Sequence, residues 1–136
     1  MTSCQNKENL YFEGLVKLIP YEPIFDERGM LIPFYFDSLP FVPCRSFIVS
    51  NVPKGVVRGG HSHKKTKQFL ICVQGRVEVT LRHEGNELNL SLTPANFGVL
   101  VGEGVWGQQT YVDEGSVLLV FADQPFSKDS YVYDRS

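Results

Sequence analysis

Two histidines, His61 and His63, stand one residue apart in a segment that also contains Arg58. Side chains two residues apart on a β-strand point to the same face, so both imidazoles would face one space, with the arginine close before them. An unperturbed histidine titrates at about pH 6.5. Such a pair can accept and return protons at neutral pH, or offer two nitrogens to a metal ion. The spacing is also compatible with two solvated surface histidines beside Lys64 and Lys65.

The segments on either side of the histidine pair have the composition of short β-strands. They are rich in β-branched and aromatic residues, and turn sequences that contain glycine or asparagine separate them. In residues 77–81 and 88–92, apolar and polar side chains alternate, as in antiparallel strands with one buried face. The predicted strands cover residues 46–49, 69–73, 76–81, 88–92 and 116–121. We therefore predict an all-β fold, a sandwich or barrel of antiparallel strands.

Composition limits the chain to one domain and argues against two classes of partner. A length of 136 residues is typical of a single domain. The 13 basic and 15 acidic side chains give a formal charge of -2, and no basic run exceeds Lys64 and Lys65, so we predict no nucleic-acid partner. The longest apolar runs are far shorter than the roughly 20 residues that span a bilayer, so we predict no membrane segment.

The cysteines bear on the compartment in which the protein works. Cys4, Cys44 and Cys72 cannot all pair within the chain and form no CxxC motif, so neither a disulfide framework nor a thiolate zinc site is predicted. The beginning of the chain also lacks an apolar signal core. We therefore expect a cytoplasmic protein.

The first residues are treated separately from the domain. Residues 8–14 resemble a tobacco-etch-virus-type protease site in which Glu13 stands where glutamine is expected. We interpret residues 1–14 as a tag remnant or a disordered N-terminus, and residues 15–136 as one domain.

The segment around the histidine pair resembles the first motif of the cupin superfamily, G(x5)HxH(x4)E(x6)G, at every spacing. Gly55, His61, His63 and Gly75 occupy matching positions, and Gln68 stands where the motif has glutamate. The resemblance implies an RmlC-like cupin, an antiparallel β-barrel or jelly roll.

Metal-binding cupins use that glutamate together with a histidine from a second motif, PxGxxH. The nearest candidate here is residues 102–107, in which Gly102 and Gly107 replace the proline and the histidine. Gln68 also replaces the glutamate ligand, and an amide is a weaker ligand than a carboxylate. The two histidines that remain are fewer ligands than a divalent metal usually takes. We therefore predict no bound metal and no other cofactor.

A narrower resemblance covers most of residues 15–134. The chain is similar to the sugar-nucleotide 3,4-ketoisomerases that act on dTDP-4-keto-6-deoxyglucose, a family also found as WxcM-like domains. The most specific part of the match runs from Arg58 to Gln68. The other matching residues are 26–29, Pro33, Phe34, Arg45, 70–75, Val105, Trp106, 115–122 and Tyr131.

The resemblance implies an isomerase that moves the ketone of a dTDP-linked sugar from C4 to C3 through an enediol. The product is a precursor of deoxyamino sugars, as found in lipopolysaccharide or surface polysaccharide. A neutral histidine can remove the C3 hydrogen, which the adjacent carbonyl acidifies, while a donor near O4 stabilises the developing enolate. By similarity, His61 is the principal base, and His63 assists or orients it.

Substrate-binding roles are implied in the same way. Arg28 and Arg58 supply positive charge near the sugar or the diphosphate, since a guanidinium's forked donors suit an anion. Gln68 forms hydrogen bonds within the barrel. Trp106 either packs in the barrel or offers a stacking face to the nucleotide base.

Two positions in the predicted site depart from the family's pattern. Relatives have a tyrosine two residues after the arginine equivalent to Arg45, whereas this chain has Phe47, which lacks the hydroxyl. Relatives carry histidine or arginine after the tryptophan, whereas this chain has Gly107. Losing an acid–base partner can slow a reaction about 100-fold to 10,000-fold. The alternatives are therefore a non-catalytic sugar-nucleotide-binding cupin and a metal-dependent cupin enzyme.

Members of the family are usually dimers that exchange their N-terminal strands. The corresponding segment in this chain is residues 15–19. The expected partners are a dTDP-linked keto sugar and a second copy of the chain.

Overall fold

The computed structural model describes residues 9–133, which form thirteen β-strands and two short 3-10 helices. The helices cover Phe12–Gly14 and Lys128–Ser130. The strands are β1 (Leu10–Tyr11), β2 (Val16–Pro20), β3 (Ile24–Asp26), β4 (Gly29–Leu31), β5 (Arg45–Val49), β6 (Val57–His63), β7 (Gln68–Gln74), β8 (Val77–His83), β9 (Asn86–Leu92), β10 (Phe97–Val101), β11 (Trp106–Tyr111), β12 (Val117–Ala122) and β13 (Tyr131–Val132). No helix within residues 9–133 combines the length and apolar character that crossing a bilayer requires.

The strands form two antiparallel sheets and one separate hairpin. The six-stranded sheet has the order β1-β2-β10-β7-β12-β5, the five-stranded sheet has the order β13-β6-β11-β8-β9, and β3 pairs only with β4. Each predicted strand is present with its ends displaced by two residues at most. The all-β, jelly-roll prediction is confirmed.

The main core lies between the two large sheets. Val77, Val79 and Leu81 of β8 are fully buried, while the residues between them are partly exposed, as the alternating pattern predicts. The opposite sheet contributes Leu70 and Cys72 of β7 to the same cluster. Burying one face of each sheet in this way removes a large apolar area from water, which is the main stabilising contribution to such a fold.

Strand β7 is buried on both faces, which explains its uninterrupted apolar sequence. Phe69 and Ile71 point away from the main core and form a second cluster with Phe121 of β12. Residues from the connection between β4 and β5 cover this cluster, including Phe34, whose ring centroid lies 5.6 Å from that of Phe121. The six-stranded sheet therefore has a hydrophobic layer on each side.

The beginning of the described chain lies along the six-stranded sheet. Leu10 pairs with Lys17 and Tyr11 with Val16, both in β2. Residues 1–8 lie outside the described residues. The interpretation of residues 1–14 as a tag remnant or a disordered N-terminus stays a prediction.

Gly98 of β10 allows the Phe69 ring to lie against the sheet. A Cβ atom at position 98 would lie 2.5 Å from the ring of Phe69 and 3.0 Å from the Leu70 carbonyl oxygen. We expect Gly98→Ala to lower the free energy of unfolding by about 1 to 3 kcal/mol, because the ring must leave its place. Lys17→Ala, on the exposed side of β2, is the control and should change it by about 0.5 kcal/mol or less. Equal denaturant midpoints for the two variants would contradict this account.

Candidate active site

A cavity of about 160 Å³ lies between the two sheets and contains both predicted catalytic histidines. Strands of both large sheets line it, among them β5 and β6. Apolar side chains such as Leu70, Leu81 and Val120 form much of its wall. Its polar side chains are Arg58, His61, His63, Gln68, Gln109, Tyr111 and Tyr131. This combination is typical of a small-molecule site, in which a few polar groups orient a ligand against an apolar wall.

A β-bulge in β6 puts Arg58 on the same face as the histidines. Gly107 of β11 pairs with His61 and Gln108 pairs with Gly59, so Gly60 is an extra residue between two pairs. Gly59 and Gly60 have φ angles of 90° and 83°, which glycine adopts without strain. In a regular strand, residues 58 and 61 would face opposite sides. The bulge reverses this, and both side chains line the cavity.

The two imidazoles are close to each other and to a tyrosine ring. The ring centroids of His61 and His63 are 4.9 Å apart, with an angle of 79° between the ring planes. Tyr131 stacks on His61 at 4.3 Å and 12°, and meets His63 edge-on at 4.6 Å and 79°. The prediction that the two imidazoles converge on one space is therefore confirmed.

Burial keeps both histidines in their neutral form. The pKa of His63 falls to about 4, because the side chain is removed from water and because His61 and the positive charge of Arg45 lie nearby. Burial also lowers the pKa of His61 below its ordinary value. A neutral imidazole can accept a proton, so both residues are in the state that a general base needs at neutral pH.

Three of the predicted binding residues line the cavity with the histidines and Arg58: Gln68, Phe47 and Gly107. Gly107 lies directly opposite His61 in the ladder, and a Cβ atom there would lie 3.0 Å from Leu81 Cδ2. A side chain at position 107 would therefore have to displace Leu81, which also lines the cavity. The two positions that depart from the family's pattern thus both face the cavity.

Trp106 and Arg28 are not among the residues that line the cavity. Trp106 is buried next to Gly107 in β11, and the guanidinium of Arg82 lies 5.9 Å from its ring centroid. Arg28 lies in the β3–β4 hairpin, where its Nη2 atom is 2.7 Å from Asp26 Oδ2. The position of Trp106 matches the packing alternative. A role in substrate binding for either residue stays a prediction.

The structure also adds residues that the sequence analysis did not assign to the site. Gln109 and Tyr111 line the cavity because they share the face of Gly107 on β11. Tyr111 is fully buried, and burial raises its pKa to about 12, so it keeps its proton at neutral pH. Its hydroxyl has no hydrogen-bond partner among the described residues. Alternation along β11 would have identified both side chains, whereas Tyr131 depends on a distant pairing of β13 with β6.

The donor set in the cavity does not resemble a usual metal site. Within residues 9–133, no three histidine, cysteine, aspartate or glutamate side chains are grouped so that they could hold a metal ion. The other potential ligands in the cavity beside His61 and His63 are amides and phenols, which suit a divalent metal less well than a third imidazole or a carboxylate.

The low pKa of His63 predicts a pH-dependent stability. The folded pKa, about 4, lies below the unfolded value of 6.5, so the unfolded chain binds more protons between these values. Stability is therefore complete above pH 6.5 and falls as the pH drops towards 4. Urea titrations at pH 7 and pH 4 measure how far the free energy of unfolding falls between the two pH values. We expect this fall to be smaller in His63→Gln than in the wild type, by up to about 3 kcal/mol. An equal fall in the free energy of unfolding in variant and wild type would contradict the assignment of this pH dependence to His63.

Comparison with known proteins identifies the family of the chain. The model of the family described as "FdtA: WxcM-like, C-terminal" matches residues 15–136. The chain is 29% identical to the TDP-4-oxo-6-deoxy-α-D-glucose-3,4-oxoisomerase of Aneurinibacillus thermoaerophilus over 123 residues, 88% of each chain.

Two solved structures have the same fold. The sugar 3,4-ketoisomerase QdtA of Thermoanaerobacterium thermosaccharolyticum, in complex with TDP, is 34% identical over 88% of each chain, with a TM-score of 0.82. The TDP-quinovose 3,4-ketoisomerase WlaRB of Campylobacter jejuni is 26% identical, with a TM-score of 0.80 over 88% of this chain and 92% of that one. The family predicted from the motif is thus confirmed, and the chain belongs to the FdtA, WxcM-like family.

Proposed function

We propose that the protein is a 3,4-ketoisomerase that converts dTDP-4-keto-6-deoxyglucose to its 3-keto isomer in deoxysugar biosynthesis. The observation that carries this proposal is a pair of neutral imidazoles, the half-buried His61 and the buried His63, 4.9 Å apart in a cavity that apolar side chains also line. A relative that is 29% identical is named for the oxoisomerase reaction on the same sugar. The free thiols of Cys44 and Cys72 support a reducing, cytoplasmic location.

The reaction moves one proton between two carbons and one between two oxygens, with no change in overall oxidation state. A base removes the proton from C3, the electron pair of that C–H bond forms the C3–C4 double bond, and the C4 carbonyl oxygen takes up a proton to give the enediol. Loss of the O3 proton and return of a proton to C4 then leave the ketone at C3. His61 serves as the base at C3, and His63 carries a second proton, because each is neutral and free to accept one.

The size of the cavity indicates which part of the nucleotide sugar it holds. Its volume of about 160 Å³ is smaller than the roughly 300 Å³ at the lower end of sites for drug-sized molecules. It suits the sugar ring and leaves the nucleotide at the opening. Arg58 lines the cavity from the exposed part of β6, and it has no ion pair among residues 9–133. Its guanidinium is therefore available to the diphosphate.

The second candidate is a sugar-nucleotide-binding protein without catalytic activity. Phe47 and Gly107 favour it, because both line the cavity and neither can donate a proton from its side chain. Tyr111 keeps a hydroxyl group in the cavity wall. Product formation separates the two candidates, since a binding protein would give saturable binding alone.

The role of His61 can be tested by substitution. We expect His61→Asn to lower kcat for conversion of dTDP-4-keto-6-deoxyglucose about 100-fold or more, because an amide cannot replace the base. His83→Gln is the matched control, since this third histidine ends β8 outside the cavity and lies beside Glu84. Its kcat should stay within about twofold of the wild-type value. Equal losses in the two variants would exclude His61 as the base.

We further propose that the protein is a homodimer. All eight residues of the β3–β4 hairpin, 24–31, are exposed, and four of them are large and apolar: Ile24, Phe25, Met30 and Leu31. An isolated two-stranded hairpin is marginally stable in water. A second copy of the chain would cover these side chains. In the single chain β2 pairs with β10, and the family's strand exchange would form the same pairing between two copies.

Oligomeric state can be measured by size-exclusion chromatography with light scattering. We expect a dimer for the wild type, and a shift towards monomer for the double variant Phe25→Ser and Leu31→Ser, which makes the hairpin polar. Val42→Ser removes a similarly exposed apolar side chain outside the hairpin and should remain dimeric. A monomeric wild type would refute the proposal.

A further inference from the structure

The last described residues, 123–133, contribute Tyr131 to the lining of the cavity and are called the terminal segment below. After β12 the chain crosses to the other sheet, where β13 pairs with the end of β6, placing Tyr131 opposite His63 and Val132 opposite Ser62. The Lys64 amide also donates a hydrogen bond to the Ser130 carbonyl oxygen at 2.8 Å. The terminal segment is therefore attached to the strand that carries both histidines.

Hydrogen bonds and a cation–π contact hold the other end of the terminal segment. The Lys67 amide donates a hydrogen bond to Asp123 Oδ1 at 2.8 Å. Arg45 Nε donates to the Gln124 carbonyl oxygen at 3.1 Å. The guanidinium of Arg45 also lies 5.1 Å from the ring centroid of Phe47 and 5.7 Å from that of Phe126, within the range of cation–π attraction. Arg45 thus links the terminal segment to β5 beside Phe47, which lines the cavity.

Tyr131 is the residue through which the terminal segment reaches the histidines. Its ring is nearly parallel to that of His61, with centroids 4.3 Å apart. Phe126 and Tyr133 contact the Tyr131 ring in turn, at 5.9 Å and 6.3 Å. The imidazole of His61 is thereby covered on one face by an aromatic ring that has its own neighbours.

We propose that Tyr131 is a positioning residue for His61, and that Arg45 and the terminal segment hold its ring in place. A histidine side chain rotates about two bonds, and a general base works only when its nitrogen stays within hydrogen-bonding reach of the proton it removes. Stacking removes much of this rotational freedom before the substrate binds. The ring also excludes water from one face of the imidazole. This inference rests on the proposed function only in taking His61 as the base.

The test compares Tyr131→Phe, which keeps the ring, with Tyr131→Leu, which keeps an apolar side chain and removes the ring. We expect Tyr131→Phe to keep kcat within about twofold. Tyr131→Leu should lower kcat about tenfold or more and change KM by less than threefold, because it loosens the base and leaves the substrate contacts intact. Thermal melts of both variants check that the fold is retained.

A second measurement does not depend on activity. The pKa of His61 is followed by NMR in free protein labelled with 13C at the histidine rings. The titratable or charged groups in contact with the histidine pair or lining its cavity are Arg45, Arg58, Tyr111, Tyr131 and Tyr133. Tyr131→Leu removes cover from His61 without changing a charge at neutral pH. Its pKa should therefore rise towards 6.5, while Tyr131→Phe should leave it unchanged.

The two measurements separate this inference from the proposed function. A wild-type protein without turnover refutes the isomerase, and the titration of His61 then decides the role of Tyr131 alone. A His61 pKa that is the same in Tyr131→Leu and wild type would overturn the positioning role. Equal losses of kcat in Tyr131→Phe and Tyr131→Leu would also overturn it, since they would assign the effect to the hydroxyl.

Discussion

The bulge at Gly59 and Gly60 is the local feature on which the site depends. It adds one residue to β6 opposite Gly107 and Gln108, and so places Arg58 and His61 on the same side of the strand. The bulge needs glycine for two reasons. Both residues have positive φ angles, and a Cβ atom at position 59 would lie 3.0 Å from the Gly107 carbonyl oxygen. Without it, a guanidinium and two imidazoles could not face one cavity from a single strand.

The packing of the two sheets determines the chemistry of the histidine pair. Between the sheets, the charged form of His63 loses its hydration, and the nearby cation of Arg45 disfavours it further. The fold therefore keeps two proton acceptors ready at neutral pH, at the cost of stability in acid. The same cavity retains the protonated hydroxyl group of Tyr111 as a hydrogen-bond donor. Arg45 thus affects the site in two ways, through its charge and through its contact with Gln124.

The strands could be predicted because each follows a simple pattern. Alternation identifies β8 and β9, which have one buried face, and the continuous apolar run identifies β7, which has two. The spacing of His61 and His63 also predicts that they share a face. Arg58 is different, because only the bulge brings it to the cavity, and adjacent glycines do not reveal the register of the opposite strand.

Other parts of the site depend on contacts between distant segments. Tyr131 lies 70 positions after His61 in the sequence, and no local pattern shows that β13 pairs with β6. Trp106 and Gly107 are neighbours on β11 and therefore face opposite sides, with Gly107 on the side of the cavity. Predicting the orientation of Trp106 requires knowing which side of β11 faces the cavity. Arg28 lies on a hairpin that contacts neither large sheet through strand pairing. The position of Arg28 relative to an active-site cavity therefore depends on the partner chain that the exposed hairpin is proposed to contact.

The central claim is that the histidine pair moves a proton between neighbouring carbons of a keto sugar. The most direct test is a proton NMR experiment with the purified protein and dTDP-4-keto-6-deoxyglucose in deuterated water. The account predicts that the 3-keto sugar appears and that solvent deuterium enters the ring at C4, where the proton is returned. Saturable binding of the nucleotide sugar with an unchanged sugar spectrum would contradict the account and indicate a binding protein.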